Sequence, residues 1–243
     1  MYGIRWRERN IRLVEGEKLK VHNINEQFYK ARLEALRSQM NPHFIFNSLN
    51  AIQECILTNK VDAAYQYLSQ FSKLQRMVLS NSEKEFIPLS NELEMLLLYL
   101  SLESLRFSQS FSYTINVDKN IDTDDIDIPS MLIQPYVENA LWHGLRTKTG
   151  DKVLIINYEQ KEEQLIITID DNGMGREKAA DIKAQKLGTP TESKGTILSE
   201  QRLHILSLKY KAQINIDVID KVNDKKEAMG TSVIIKLPFD MEI

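Results

Sequence analysis

The sequence contains a single cysteine, Cys55, and few residues that interrupt regular structure: nine glycines and six prolines among 243 residues. One cysteine excludes an intramolecular disulfide and a cysteine-rich metal site. The longest apolar run, MLLLYL at 95–100, is far shorter than the ~20 residues that cross a bilayer. The net charge of −3 gives no reason to expect direct binding of nucleic acid. With 42% hydrophobic residues, we expect an ordinary soluble globular chain.

The first 110 residues have a helix-forming composition, rich in Leu, Glu, Gln, Lys and Ser. Apolar residues three and four apart in the region 21–35 predict the seam of an upstream helix, within 10–40, that packs against another helix. Further helices are predicted up to the polar break TNKVD (58–62), at about 63–80 and from Pro88 onwards. Two antiparallel helices bury little apolar surface alone, so we expect the hairpin to pair with a second copy as a four-helix bundle.

The second part of the chain changes to β-branched, alternating segments that predict strands. The segments 152–159 and 164–170 predict a hairpin, and helical patterns at about 129–145 and 197–210 lie between strands. This mixture indicates an α/β sandwich with helices on one face of a mostly antiparallel sheet. The polar, uneven segment 176–196 predicts a long loop, which is usually functional or disordered.

The stretch SQMNPHFIFNSLNAIQ (38–53) places Pro42 directly before His43 within a helical pattern. Pro42 cannot donate to the carbonyl of Ser38, so the helix should bend there, at a cost of ~3 kcal/mol if nothing compensates. A neutral imidazole is a good nucleophile and can carry a covalent intermediate. Asn47 lies four residues on, on the same helix face. From periodicity alone, a helix break that happens to have a histidine beside it is the favoured interpretation.

The motif LRSQMNPHFIFNSLNAI (36–52) closely resembles the phosphoacceptor signature of the LytS-type sensor histidine kinases, a branch of the bacterial two-component kinases. The stretch YLSLESLRF (99–107) is similar to a second motif of that family. The resemblance implies that His43 receives the γ-phosphate of ATP and passes it to an aspartate of a response regulator, with Asn47 as a further catalytic candidate. Phe44 stands where many other histidine kinases have an acidic residue, so the acceptor helix identifies no general base.

The stretch IQPYVENALWHG (133–144) predicts a helix on which Asn139 and His143 share a face. It is similar to the N box of the GHKL ATPase superfamily, which implies that Asn139 binds Mg²⁺ and that Glu138 is a polar or basic partner in the transfer. Oxygen ligands suit Mg²⁺, which brings substrate phosphates with it. The alternative is a buried helix with polar caps. Trp142 stands where related kinases often carry a lysine.

The stretch IDDNGMG (169–175) would alone be interpreted as a turn after a strand. It resembles the first glycine box of the same superfamily, which implies that Asp171 accepts a hydrogen bond from the adenine amino group. Gly173 and Gly175 would then let the backbone pass close to the nucleotide. The chain has no Walker loop.

Two later stretches resemble the rest of the nucleotide site. SKGTILSEQRL (193–203) is similar to the second glycine box, with Gly195 and Arg202 matching and Ser193 in place of the first glycine. MGTSVIIKLP (229–238) resembles the closing strand, with Gly230 and Thr231 at the positions where the family has Gly-Thr near the phosphates. The intervening loop, 176–194, would be a lid over the nucleotide. The resemblance thus implies ATP and Mg²⁺ as cofactors. It assigns their binding to Asn139, His143, Asp171, Gly173, Gly175, Gly195, Arg202 and Thr231.

The resemblance covers roughly residues 30–240 and implies an α+β fold: an N-terminal helical hairpin forming a dimeric four-helix bundle, then a Bergerat-type GHKL sandwich. The expected domains are a signalling helix (1–30), a dimerisation and phosphoacceptor domain (31–110) and an ATP-binding domain (111–243). Two other interpretations remain open. One is a nucleotide-binding signalling scaffold of the same fold that transfers nothing, and the other is a coiled-coil protein with an unrelated α/β domain that binds no nucleotide.

The resemblance also implies the partners of the chain and its location in the cell. We expect a homodimer, a cognate response regulator with a LytTR or AraC-type output, and no direct contact with nucleic acid. The opening MYGIRWRERNIR has no apolar core after it and is not a signal peptide. It is typical either of an ordinary basic helix start or of the cytoplasmic flank of a missing membrane segment. On the second interpretation, the full-length protein lies at the cytoplasmic face of the inner membrane.

Overall fold

The computed structural model describes residues 42–106, 111–146, 148–176, 194–210 and 213–239. The α-helices are α1 (Pro42–Leu57), α2 (Val61–Ser82), α3 (Leu89–Arg106), α4 (Gln134–Asn139) and α5 (Lys194–Tyr210), and a π-helical turn follows α4 (Ala140–Leu145). The strands are β1 (Phe86–Pro88), β2 (Ser112–Val117), β3 (Asp127–Pro129), β4 (Val153–Lys161), β5 (Gln164–Asp171), β6 (Asn215–Val222) and β7 (Ala228–Pro238). The predicted upstream helix within 10–40 and most of the predicted loop lie outside the described residues.

The turn between α1 and α2 confirms the predicted polar break. Asn59 has a left-handed backbone (φ +60°), a conformation that asparagine tolerates better than most residues. Its amide donates to the Ile56 carbonyl, and the Lys60 amide donates to the Cys55 carbonyl. These two bonds satisfy the last carbonyls of α1 in a Schellman arrangement, so the chain reverses in three residues and α2 returns along α1.

Helix α1 begins at Pro42 in the described part of the chain. Proline is well suited to the first turn of a helix, where its missing N–H is not needed. The bend expected at Pro42 concerns its junction with residues 1–41, which lie outside the described residues, and it stays a prediction.

The three long helices share one apolar core, in which Phe44 has a central place. Its ring centroid lies 6.0 Å from that of Phe71 on α2 and 5.4 Å from that of Tyr99 on α3. Phe44 and Tyr99 are both buried, at 6% and 1% exposure. Other buried members of this core are Ile52, Tyr67, Leu74, Val78, Met95, Leu96 and Leu102. Helix α3 therefore closes the hairpin on one side.

The start of α3 is attached to the second half of the chain. Strand β1, just before it, pairs antiparallel with β3, with Phe86 opposite Pro129. The amides of Leu89 and Ser90 donate to the carbonyls of Ile126 and Thr123, each at 2.8 Å. These bonds cross the domain boundary predicted at residue 110. The boundary itself stays a prediction, but residues 86–90 are held by the C-terminal half.

A five-stranded sheet in the order β2-β4-β5-β7-β6 forms the second half. Strands β2 and β4 run parallel, and the other neighbours run antiparallel. Buried residues alternate along the central strands, including Ile156, Ile167 and Ile235, which is the pattern of a sheet covered on one face. Side chains of α4, the π-helical turn and α5 belong to the same core. The predicted α+β class, a helical hairpin followed by a helix-covered and mostly antiparallel sheet, is confirmed.

The helix predicted at about 129–145 is shorter at its start. Residues 127–129 form β3, and Met131 has a left-handed backbone (φ +57°), so the helix begins only at Gln134. The side chain of Glu92 on α3 explains this placement. Its two carboxylate oxygens accept the amides of Met131 (3.1 Å) and Ile133 (3.2 Å). A buried carboxylate from another helix thus holds the segment that leads into α4.

Burial raises the pKa of Glu92 to about 7, although the amides of Ile133 and Met131 and the Arg202 guanidinium favour its charged form. The folded protein therefore keeps a proton that the unfolded chain releases at about the ordinary value of 4.5. The stabilising contribution of this protonation is complete below 4.5 and is lost as the pH rises through 7.

We expect Glu92→Gln to flatten the fall in the free energy of unfolding between pH 5 and 7, because the amide cannot titrate. One group changes this energy by at most ~1.4 kcal/mol per pH unit. Urea unfolding at several pH values measures the slope. Glu94→Gln is the matched control on the same helix, since its carboxylate is 45% exposed. Parallel slopes for wild type and Glu92→Gln would contradict the expectation.

Candidate active site

Asp171 lies at the end of β5 and is 5% exposed. Its Oδ1 accepts the amide of Gly173 at 2.7 Å. Burial raises the pKa of Asp171, and the amides of Gly173 and Thr231 and the charge of Lys221 partly offset that effect. A buried carboxylate with few fixed donors is a strong acceptor for a ligand N–H group.

Glycines near Asp171 allow backbone segments to come unusually close. A Cβ on Gly230, whose φ is +119°, would lie 2.0 Å from the Asp171 carbonyl oxygen. A Cβ on Gly173 would lie 2.5 Å from the Cα of Gly144. Gly175 has a left-handed backbone (φ +79°). The glycines predicted to approach a nucleotide are thus also required by contacts between segments of the protein itself.

The N-box region reaches Asp171 through Gly144. A Cβ on Gly144 would lie 2.9 Å from Asp171 Oδ1, and the Gly144 carbonyl accepts the amide of Met174 at 3.2 Å. Residues 140–145 form a π-helical turn, in which the Arg146 amide donates to the Leu141 carbonyl. Turns of this kind are rare in proteins, and those that occur are often found at functional sites. A backbone hydrogen bond between Gly144 and Met174 therefore connects the π-helical turn after Asn139 to the turn that follows Asp171.

Glu138 and Asn139 form the last residues of α4 and are both half-buried. Glu138 Oε1 accepts Nε2 of Gln134 at 3.0 Å. The Asn139 carboxamide has no hydrogen bond to the part of the chain that the structure describes. His143 is exposed on the π-helical turn. The Asn139 side-chain oxygen is therefore available to a ligand.

The donor set suits Mg²⁺ better than a metal held by protein alone. Among the described residues, no group of three or more His, Cys, Asp or Glu side chains is placed to hold a metal ion. Mg²⁺ is usually bound by one or two protein oxygens, with substrate phosphates and water as the other ligands. The Asn139 oxygen, beside the Glu138 carboxylate, fits that pattern.

Arg202 makes interior contacts in the structure. It is 7% exposed, and its guanidinium donates to the Ser130 carbonyl at 2.6 Å and to the Ser130 hydroxyl at 3.0 Å. A contact with phosphate would require the side chain to leave these acceptors. Gly195 lies in the first turn of α5. Thr231 is half-buried on β7, opposite Asp171 in the strand register. The phosphate contacts assigned to these residues stay predictions.

Trp142 lies in a contact that the sequence did not predict. The Arg106 guanidinium is 4.2 Å from the centroid of its ring, and that of Arg146 is 4.8 Å away. Arg106 also pairs with the buried carboxylate of Glu103. Arg106 belongs to the stretch YLSLESLRF, so the family motif was a signal for this site, but it did not name the partner. Both guanidinium groups therefore lie within cation–π distance of the Trp142 ring.

Helix α1 begins within the acceptor signature, and His43 is its second residue. Asn47, one turn later, is half-buried. Phe44, which follows His43, packs on Tyr99 of α3, and the charge of Glu138 acts on Tyr99. The start of the acceptor helix and the N-box helix therefore belong to one hydrophobic core, which includes Phe44, Tyr99 and Tyr136.

The chain is similar to known histidine kinases. The histidine kinase family model matches residues 31–111. The sensor protein LytS of Oceanobacillus iheyensis is 34% identical over 215 residues, which are 86% of this chain and 35% of that protein. The sensor histidine kinase YpdA of Escherichia coli is 31% identical over 203 residues, covering 80% of this chain and 35% of YpdA.

The chain thus spans about a third of the length of these relatives. Among solved structures, the histidine kinase domain of the blue-light activated kinase EL346 of Erythrobacter litoralis aligns with a TM-score of 0.41 at 15% identity. That alignment covers 82% of this chain and 96% of the other. With the acceptor signature, the N box and the buried Asp171 in one chain, these sequence relationships show that the chain belongs to the LytS-type sensor histidine kinases.

Proposed function

We propose that the chain is the kinase core of a two-component sensor kinase, which transfers the γ-phosphoryl group of ATP to His43 and then to an aspartate of a response regulator. The observation that carries the proposal is the meeting of Asp171, Gly144 and the helix of Asn139 in a chain that also has the acceptor signature. Phosphoryl transfer depends chiefly on positioning and on neutralisation of charge. Both can be assigned to named residues.

Asp171 is assigned to adenine recognition. Its carboxylate is buried, so an N–H donor of the base would meet an acceptor that water does not screen. The amides of Gly173 and Thr231 hold the carboxylate in one orientation. Gly173 and Gly175 shape the turn beneath it. An acceptor that faces position 6 of the purine favours adenine, which has an amino group there, over guanine, which has a carbonyl oxygen.

Asn139 is assigned to Mg²⁺, with Glu138 beside it. When bound, Mg²⁺ supplies neutralisation of the phosphate charge. The family motifs indicate four further candidates for holding the phosphate chain: His143, Gly195, Arg202 and Thr231. His143 is exposed on the turn that follows Asn139. For Arg202 this proposal includes release from Ser130.

His43 is the nucleophile of the transfer. Its unprotonated ring nitrogen forms the bond to the γ-phosphorus, the bond from that phosphorus to the β–γ bridging oxygen breaks, and ADP leaves. The proton on the other ring nitrogen passes to a base, the role assigned to Glu138, or to solvent. Asn47, one helical turn from His43, is assigned to orient the ring.

The hairpin exposes apolar side chains that suit a homodimer. On α1, Phe46 is 66% exposed, Leu49 48% and Ile56 60%, and on α2 Tyr65 is 74% exposed. They lie away from the face of α1 that carries Phe44. Apolar surface on a hairpin of this kind is normally buried by a second hairpin, and we therefore place the dimer there.

The partner of the phosphorylated form would be a response regulator with a LytTR or AraC-type output. None of the described helices combines the length and apolarity that a membrane-crossing segment needs. Attachment to the cytoplasmic face of the inner membrane through a further N-terminal segment remains a proposal that follows from the family alone.

Incubation with γ-labelled ATP and Mg²⁺ should label His43 in a form that is stable to base and labile to acid. His43→Gln should abolish the label, whereas His204→Gln, an exposed histidine on α5, should retain it. Nucleotide binding without any label in wild type would support the non-catalytic scaffold, and no binding at all would contradict both the kinase and the scaffold interpretations.

Asp171→Asn should weaken binding of Mg-ATP by ~10- to 100-fold, the effect expected from loss of a hydrogen bond to a charged acceptor. The control is Asp170→Asn, whose carboxylate pairs with Lys221 instead. Isothermal titration gives both affinities. Equal weakening in the two variants would show that general destabilisation, not loss of the adenine contact, is the cause.

Leu49→Glu should raise the dimer dissociation constant by ~10- to 100-fold, because burial of a leucine side chain is worth ~1.5–3 kcal/mol. Sedimentation equilibrium measures the change. Leu208→Glu on α5 is the matched control, since Leu208 is 55% exposed outside the hairpin. An unchanged dimer dissociation constant for Leu49→Glu would show that the interface lies elsewhere.

A further inference from the structure

The connection between the hairpin and the C-terminal half is very short. Helix α2 ends at Ser82 and β1 begins at Phe86, which leaves only residues 83–85 between them. Glu85, the last of these, is fixed to α5: its Oε2 accepts the Lys209 ammonium at 2.8 Å and the Tyr210 hydroxyl at 2.6 Å. The C-terminal half is therefore attached directly to its own hairpin, without a long flexible linker.

Tyr99 bridges the two halves at a second place. Its ring packs on Phe44, next to His43, with 5.4 Å between centroids. The residue is 1% exposed, and it lies in the same hydrophobic core as Ala140 and Leu141 of the N-box segment. One buried side chain of α3 therefore packs on the start of the acceptor helix within the core that also contains the N-box segment.

The same face of α3 makes further contacts in both directions. Towards the hairpin, the Tyr67 hydroxyl donates to the Leu102 carbonyl at 3.5 Å. Towards the N box, Arg106 lies on the Trp142 ring and pairs with Glu103, which is fully buried. Helix α3 is thus packed between the acceptor helix and the N-box segment of one chain, and separating them would expose these groups.

We infer that the phosphoryl group passes to His43 of the same chain, and that Tyr99 is the positioning residue that holds the acceptor helix against its own nucleotide site. This inference rests on the proposed kinase activity. The other apolar face of α1, with Phe46 and Leu49, remains for the dimer partner, so dimerisation does not require the contact between Phe44 and Tyr99 to open.

The test uses two affinity tags to isolate mixed dimers of the 243-residue chain. In the first dimer, one chain carries His43→Gln and the other Asn139→Ala. Transfer within a chain predicts no label, because no chain has both the acceptor and a working site. In the second dimer, a wild-type chain is paired with a His43→Gln, Asn139→Ala double variant, and label should appear on the wild-type chain.

Label on the Asn139→Ala chain of the first dimer, with none in the second, would overturn the inference and show transfer between chains. If tandem purification recovers no mixed dimers, His43→Gln and Asn139→Ala chains are mixed as monomers. Label that rises with their concentration would then contradict the inference, and no label would support it. A wild type that never becomes labelled refutes the proposed kinase itself, so the two failures are distinguishable.

The positioning role of Tyr99 has its own readout. Tyr99→Leu should lower the phosphorylation rate by ~10- to 100-fold, the cost of a misplaced reacting group, while the KM for ATP stays unchanged. Tyr99→Phe keeps the ring and should restore the rate. Phe44→Leu, which removes the other half of the contact, should reproduce the defect with intact ATP binding. An unchanged rate in both leucine variants would overturn the role of Tyr99.

Discussion

The attachment of α3 at both ends is the constraint on which the rest of the arrangement depends. At its start, β1 pairs with β3, and Glu92 accepts two amides of the segment that leads into α4. At its end, Arg106 lies on Trp142. Between these points, Tyr99 packs on Phe44. A helix fixed in this way sets the distance between the acceptor helix and the N box, which a long flexible linker could not do.

The sequence was sufficient for the parts of the fold that depend on local pattern. Alternating apolar residues predicted β4 and β5, and the polar break at 58–62 predicted the turn of the hairpin. The helix starting at Gln134 was predicted several residues too early, because its beginning is decided by Glu92, which is 39 residues from Met131 along the chain. Periodicity contains no information on such a bond. The π-helical turn after Asn139 also has no signature in the pattern.

For the site, the motifs predicted which segments come together but not all of the roles within them. Asp171 and the N-box helix do meet, through Gly144. The glycines were predicted from the approach of a nucleotide, whereas the structure shows that Gly230 is already required by the Asp171 carbonyl. Arg202 was predicted from a motif position, but its burial against Ser130 depends on three-dimensional packing. Contacts between distant elements are what a linear motif cannot encode.

The contact of Trp142 with two guanidinium groups has a practical consequence. Trp142 is one of two tryptophans in the chain, and its indole is half-buried where α3 meets the N-box segment. Any movement that draws Arg106 away exchanges a cation for water at the face of the ring. The intrinsic tryptophan fluorescence of the protein therefore reports on the contact between α3 and the N-box segment. It can be measured in unlabelled protein once the contribution of Trp6 is subtracted.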